Sequence, residues 1–455
     1  MHYPLLFTLG LATAFAPLSA AHTAFTTLFV DEVNQGDGTC IRMAKEGNLA
    51  THPIAGGLGA EDMACGKFLC PVSLPPYVPQ TLTAFLGRDG NTAVAFSCPA
   101  AAGAKLTLEF RMWADAAQPG SIDPSHLGPM AVYLKQVSDM KSDSAAGGGW
   151  FKIWDEGFDA AAKKWATEKL IDNNGLLSIN LPSALPTGYY LARHEIITLQ
   201  NVTNEVVDAQ FYVGCAQLYV EGASAGGTIP SDKTVSIPGH ITDPADPGLT
   251  FNVYKDDAST YQVVGPKVYF PTSSSASTNT QTQQKQQTDS QQQQADGLVP
   301  ATCLLKNANW CAAAVPAYTD EAGCWAASED CWKQLDACYD SAPPSGSKGC
   351  KVWEEQMCTV IQQACESGNV QGPPDQGTKL AEAVDQPIPG GKLPAAVNAG
   401  ESGTTVSGGE EEEAGAGEAA PTPTSAGAGA GATAMSKCKS KARRRELLRR
   451  KMAFP

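Results

Sequence analysis

The sequence predicts an all-β chain, an immunoglobulin/fibronectin-like antiparallel β-sandwich, followed by a small disulfide-rich helical module with a disordered linker and tail. Three observations predict it. Between His22 and about Pro271 apolar residues recur with period two in short runs, the pattern of strands that bury one face. Gly, Pro, Asn and Asp clusters separate the runs, as the tight connections of a sandwich require. Eight cysteines then crowd into residues 297–372, where a core too small to hold itself needs covalent staples.

Residues 1–21, MHYPLLFTLGLATAFAPLSAA, lack acidic side chains, are apolar from Leu5 to Phe15 and carry small residues at Ser19 and Ala21. This is the pattern of a secretory signal peptide. The run is too short to cross a bilayer, and no later segment reaches the roughly 20 apolar residues a spanning helix needs. The mature protein is therefore expected to be soluble, secreted and extracellular, a compartment that suits fourteen cysteines. The sandwich domain spans 22–271, with strand runs LTLEFRMW (106–113), MAVYLKQV (130–137), GWFKIWDEG (149–157), LLSINLP (176–182), YYLARHEIITLQ (189–200) and AQFYVGCAQLYV (209–220). Only DAAAKKWATEKL (159–170) reads as helical.

Residues 272–296 are a Ser/Thr/Gln-rich linker, with no apolar side chain larger than Ala between 273 and 294. In the module at 297–372, Cys324, Cys331 and Cys338 recur every seven residues, as do Cys358 and Cys365, so each set lies along one helix face. Eight cysteines allow 105 connectivities, and spacing does not choose among them. The tail, 373–455, is Gly/Ala/Pro/Glu-rich, with GEEEE (409–413), the basic KCKSKARRRELLRR (437–450) and a lone Cys438. A net charge of −15 argues against nucleic acid and anionic membrane as partners. A neutral glycan stays compatible with it.

Histidine is scarce, at positions 2, 22, 52, 126, 194 and 240. Cleavage after Ala21 would leave His22 with a free α-amine beside its ring Nδ1, a bidentate clamp that an internal histidine cannot form. One further imidazole completes a T-shaped set of three nitrogens. Such a set suits copper, which heads the divalent affinity series and accepts tetragonal nitrogen geometry. His126, in GSIDPSHLGPMAVYL just ahead of a strand, is the candidate.

These residues, with HTAFTTLFVD at the mature start, GTCIRM (38–43), DMACG (62–66), GSIDPSHLGP (120–129), GWFKIWDEG, YYLARHEIITL and DAQFYVGC (208–215) in that order, resemble the fungal lytic polysaccharide monooxygenases of auxiliary activity family 9, formerly glycoside hydrolase family 61. The resemblance covers roughly His22 to Pro271. It implies one copper ion held by the His22 amine and Nδ1, the His126 imidazole and, at a long axial position, Tyr212. It further implies that His194 and Gln210 donate hydrogen bonds to the oxygen co-substrate. Alternation puts Gln210 and Tyr212 on one sheet face. The implied activity is oxidative cleavage of cellulose or another β-glucan polymer at carbon 1 or carbon 4. An external electron donor (a small phenol, ascorbate or a secreted dehydrogenase) and dioxygen or hydrogen peroxide would drive it, in a monomer. The family pairs Cys65 with Cys215, which leaves Cys40 for Cys98.

The chain departs from the family pattern at 67–86, KFLCPVSLPPYVPQTLTAFL, which carries an odd Cys70. Joining its flanks restores a family-like run. Its ends can be encoded by intron-boundary sequences, so it reads either as a translated intron or as a loop insertion near the substrate face. Asn201 heads the sequon NVT, a glycosylation acceptor. Trp310, Trp325, Trp332 and Trp353 of the module either stack on sugars or fill its core. A second functional reading keeps fold and copper but not oxidation, as a secreted copper-binding or wall-glycan-binding protein. A hydrolase is disfavoured because no Asp/Glu pair stands out.

Overall fold

The computed structural model describes residues 22–44, 50–54, 57–66, 90–222, 228–272, 294–374, 376–381 and 387–397. The expected signal peptide, residues 67–86 with Cys70, most of the linker and the charged tail with Cys438 lie outside them. Fifteen strands build the first part: β1 (Ala24–Val30), β2 (Val33–Asn34), β3 (Ile41–Arg42), β4 (Cys98–Ala101), β5 (Lys105–Arg111), β6 (Met130–Val137), β7 (Gly147–Glu156), β8 (Phe158–Asp159), β9 (Lys164–Trp165), β10 (Leu176–Asn180), β11 (Gly188–Thr198), β12 (Val202–Thr203), β13 (Val206–Val207), β14 (Gln210–Glu221) and β15 (Val235–Ile237). One sheet runs β10-β5-β1-β2 and the other β15-β7-β6-β11-β14-β3. Pairing is antiparallel except where β4 joins β14 in parallel.

The core between the sheets takes Phe25 and Leu28 from β1, Leu106, Leu108 and Phe110 from β5, and Tyr190, Ala192 and Ile196 from β11. The intervening β11 residues, Leu191 and Ile197, bury against a second cluster that includes Met63, Ile237, Phe251 and Tyr261. The larger sheet is thus covered on both faces, and charged residues on its outer face must be paired. Arg193 donates to the Met63 and Ala64 carbonyls and lies 2.7 Å from Glu195. Glu195 also meets His240 Nε2 at 2.9 Å and accepts from the Tyr133 hydroxyl at 3.2 Å. Burial alone would raise the Glu195 pKa, but the Arg193 and His240 charges outweigh it and hold the carboxyl well below its usual range.

The helix expected from 159 starts later. Residues 158–165 form the β8–β9 hairpin, and helix α1 spans Ala166–Asp172. Asp159 Oδ1 accepts from the N–H groups of Ala161 and Ala162, and Lys163 takes a left-handed φ of 55°. This local turn outcompetes the helix propensity of Ala and Lys.

Disulfides join Cys40 to Cys98 and Cys65 to Cys215. Beside the second, a Cβ placed on Gly90 would lie 1.8 Å from the Cys65 carbonyl oxygen and 2.3 Å from that of Gly66. The chain on either side of residues 67–89 therefore meets. Three residues can reach about 10 Å, so a chain joining Gly66 directly to Gly87 should close the same fold. We expect its melting temperature to be no more than about 2 °C below that of the full chain and up to several degrees above it, since a shorter connection costs less closure entropy. A fall well beyond that would mark the segment as part of the core.

The module begins with a hairpin, β16 (Lys306–Asn307) and β17 (Trp310–Cys311). Helix α2 (Glu321–Ser341) is capped by Asp320, whose carboxylate accepts from the Gly323 N–H at 2.7 Å. Helix α3 (Lys348–Trp353) passes through a π-turn, Glu354–Cys358, into α4 (Thr359–Glu366). Disulfides Cys324–Cys365, Cys331–Cys358 and Cys338–Cys350 rung α2 to this arm, and Cys303–Cys311 closes the hairpin. The intervals on α2 are seven and seven, and on the facing arm seven and eight. The π-turn takes up the extra residue and keeps Cys350 in line.

The module docks on the sandwich. Asn309 donates to the Gly38 carbonyl at 2.7 Å and accepts from the Cys40 N–H at 3.0 Å, and Lys306 reaches the Gln35 carbonyl at 2.9 Å. At the end of the expected linker, Gln294 and Asp296 bond to Ser97 and Tyr189. Past residue 372 the Leu380 N–H donates to the Leu304 carbonyl and the Val397 N–H to the Ser178 carbonyl, so placed chain continues beyond the module boundary read from composition. An edge strand such as β10 accepts extended chain through its backbone, a contact that side-chain composition does not reveal. Among the described residues no helix is long and apolar enough to cross a membrane.

Candidate metal centre

One end of the sandwich gathers His22, His126 and Tyr212. His22 lies two residues before the start of β1, His126 sits in the loop before β6, and Tyr212 is the third residue of β14. The Thr23 hydroxyl donates to the Ser121 carbonyl at 2.7 Å, tying the start of β1 to the loop that carries His126. Leu199 N–H donates to Leu127 at 2.9 Å and Ile197 N–H to Pro129 at 3.1 Å, which fixes the other side of that loop. Gly128 is needed there, because a Cβ would fall 1.9 Å from the Ile197 carbonyl oxygen.

The His22 and His126 rings lie 6.2 Å apart between centroids at an interplanar angle of 83°. The Tyr212 ring is 6.1 Å from His22 and 5.9 Å from His126. Burial, helped by the neighbouring His52 and His126, lowers the His22 pKa to about 4. Burial also lowers that of His126, against the opposing charge of Asp123. Both imidazoles are therefore neutral near pH 7 and carry a lone pair for a metal. Burial pushes the Tyr212 phenol well above its usual value, so it stays protonated.

The tautomer of His126 is set by its own loop. The Ser125 hydroxyl gives its proton to Asp123 Oδ1 at 2.7 Å, which leaves its lone pair for the His126 Nδ1 at 3.2 Å. With Nδ1–H donating, Nε2 is the free acceptor. Among the described residues no three His, Cys, Asp or Glu side chains cluster closely enough for a metal. An α-amine on residue 22, if the chain were cut before it, would add a third nitrogen to this pair. Two neutral imidazoles set crosswise, completed by an amine, fit the tetragonal preference of copper.

The profile of Auxiliary Activity family 9 (formerly GH61) matches residues 22–261, and those bounds start on His22. The chain belongs to this family. It is 46% identical over 367 residues to AA9 family lytic polysaccharide monooxygenase C of Aspergillus tamarii, covering 80% of this chain and 90% of that one. It is 44% identical over 370 residues to AA9 family lytic polysaccharide monooxygenase H of Botryotinia fuckeliana, covering 81% and 78%. Alignments of this length run past the sandwich into the cysteine-rich module. The solved structure titled CvAA9A aligns at a TM-score of 0.44 and 31% identity, over 55% of this chain and 100% of that one.

In this family 9 chain His194, expected to act with Gln210, does not stand directly beside it. His194 shares a sheet face with Gln210 and Tyr212, but the register pairs it with Gly214, while Ile196 faces Tyr212 and Thr198 faces Gln210. It is therefore one inward-facing position deeper than Tyr212. Its ring packs edge-on between Phe25 (5.5 Å) and Phe110 (4.9 Å), 4% exposed, with Nδ1 unpartnered. Burial lowers its pKa to about 3. Gly214 makes room for it, since a Cβ there would meet the ring at 2.7 Å. His194 also lines a cavity of about 290 Å³ with His52 and Tyr212.

Gln200 takes the place beside Gln210 instead. Its side-chain amide donates to Gln210 Oε1 at 3.1 Å, and the Tyr212 hydroxyl donates to the same oxygen at 3.1 Å. Two donors on the carbonyl end turn the Gln210 NH₂ toward other acceptors. The Tyr254 hydroxyl donates to the Gln200 backbone carbonyl at 3.1 Å while its ring is 64% exposed. His52 stacks on His22 at 4.4 Å and 18°. None of these three was singled out from sequence. Scarcity of histidine was a usable signal for His52, and Gln200 closes the YYLARHEIITLQ run two residues beyond Thr198.

Proposed function

We propose that this chain is a secreted, copper-dependent monooxygenase that cleaves cellulose or a related β-1,4-glucan, driven by an external electron donor and dioxygen or hydrogen peroxide. The observation that carries the reading is the crossed pair of neutral imidazoles, His22 and His126, with the Tyr212 phenol beside both. His22, through amine and Nδ1, His126 through Nε2 and Tyr212 through its phenol would hold the ion. Copper supplies one-electron chemistry able to break a sugar C–H bond, which side-chain acid–base groups cannot do.

The chain's own residues orient that chemistry. Gln210 presents its amide NH₂ to the co-substrate, held by Gln200 and Tyr212. Tyr254 offers an exposed ring on which a sugar can stack, anchored through its hydroxyl to the same Gln200. Asn201 follows directly and is the proposed glycan carrier. Its Nδ2 lies 2.9 Å from Asp208 Oδ2.

Incubation with copper, ascorbate and cellulose should release oxidised oligosaccharides detectable by mass spectrometry, and a His126→Ala chain should release none. Copper binding with no oxidised product on any glucan or chitin would favour the non-oxidative reading. Ser125→Ala should weaken copper about tenfold or more, the cost of losing a hydrogen bond that orients a ligand, with an unchanged melting temperature. Equal affinity by isothermal titration calorimetry would remove the Asp123–Ser125–His126 relay from the account.

A further inference from the structure

The four module tryptophans divide into two roles. Trp353 is fully buried, and Trp310 packs edge-on against it at 6.1 Å, so this pair fills the core. Trp332 also packs partly against that core, but it shares a second pattern with the exposed Trp325. Each cysteine on α2 is followed by an aromatic residue, in Cys324-Trp325, Cys331-Trp332 and Cys338-Tyr339. The cysteines are buried and bonded to the facing arm. Their neighbours are turned about 100° around the helix, where Trp325 is 42% exposed, Tyr339 is 40% exposed and Trp332 is half-buried.

We infer that this face of α2 is a binding platform for an uncharged, extended β-1,4-linked polysaccharide chain, with Trp325, Trp332 and Tyr339 stacking on every second sugar. Seven residues at 1.5 Å advance about 10.5 Å along the helix, close to the about 10 Å repeat of two sugars in an extended β-1,4 chain. Alternate sugars of such a chain face the same way, so a flat ring recurs at that interval. Aromatic side chains suit the apolar faces of those rings.

Charge on the same face selects among polymers. Glu329 and Asp336 fall between the aromatic residues at helical spacing and are exposed. Glu329 pairs with Lys333 at 2.8 Å, and the Tyr339 hydroxyl donates to Glu354 at 2.9 Å, which steadies its ring. Carboxylates set between the rings accept hydrogen bonds from sugar hydroxyls and repel phosphate, so nucleic acid and anionic lipid are poor fits. The choice of polymer rests on the polysaccharide reading of the family. The platform itself does not depend on the metal centre.

The test uses the full chain stripped of copper, so that failure of the metal centre cannot imitate failure of the platform. Microcrystalline cellulose and chitin should deplete it from solution. A Trp325→Ala/Tyr339→Ala chain should bind about tenfold more weakly, with unchanged melting temperature and copper affinity. Trp325→Tyr should retain binding, and His126→Ala should bind as tightly as the parent. Equal depletion of the parent and the double variant overturns the inference, as does absence of binding by the parent to both polymers. A change from dimer to monomer in the double variant would assign the face to self-association instead and also overturn it.

Discussion

A chain that keeps Ala21 in front of His22 is expected to bind copper at least about a hundredfold more weakly than one that starts at His22, beyond the 10–100-fold that loss of a supporting hydrogen bond costs. The extra residue turns the amine into an amide. On the proposed ligand set this would cut the nitrogen donors from three to two, leaving the His22 and His126 imidazoles. Folding is untouched, because β1 starts at Ala24 and its pairing with β5 begins there. Titration calorimetry on the two chains, with melting temperature as the control, reads the difference. Equal affinities would mean that the amine is not a ligand.

Glu195→Gln is expected to lower the melting temperature by about 10 °C. Removing one partner of a buried pair costs about 3–5 kcal/mol, because the other charge stays behind, and each kcal/mol moves the midpoint of a domain the size of the sandwich by about 2–4 °C. Arg193 would lose its counter-charge and His240 Nε2 its carboxylate partner. The pH dependence has a definite sign. A carboxyl held below its usual value stabilises fully above the unfolded value of about 4.3 and loses that contribution as pH falls through the folded one. The deficit of the variant should therefore be complete at pH 7 and shrink below about pH 4. A variant melting within 2 °C of the parent would show that the ion cluster adds nothing.

Strand content was legible because alternation is a local property. The β6 and β14 runs appear in the sequence nearly as they stand in the sheets. Depth was not legible. Alternation put Gln210 and Tyr212 on one face, but how far His194 lies from them depends on the β11–β14 register, and a shift of one inward-facing position separates a core ring from a neighbour of the metal site. Gln200 escaped notice for the complementary reason. It lies past the end of β11 and meets Gln210 only because the β12–β13 excursion returns the chain at that point. His22 stood out because cleavage before it would give it a chemistry no internal histidine shares, and the fold brings His126 beside it. Cysteine pairing in the module needed the π-turn, which no composition signal announces.

The three rungs between α2 and its facing arm make that helix pair behave as a ruler. Hydrogen-bonded helices fray and bend, but covalent links at one-heptad intervals along α2 hold its pitch over the whole stretch that carries Trp325, Trp332 and Tyr339. A surface already set at its working spacing loses little conformational entropy when a rigid partner settles on it. The disulfides thus do more than replace a missing core: they keep a length constant.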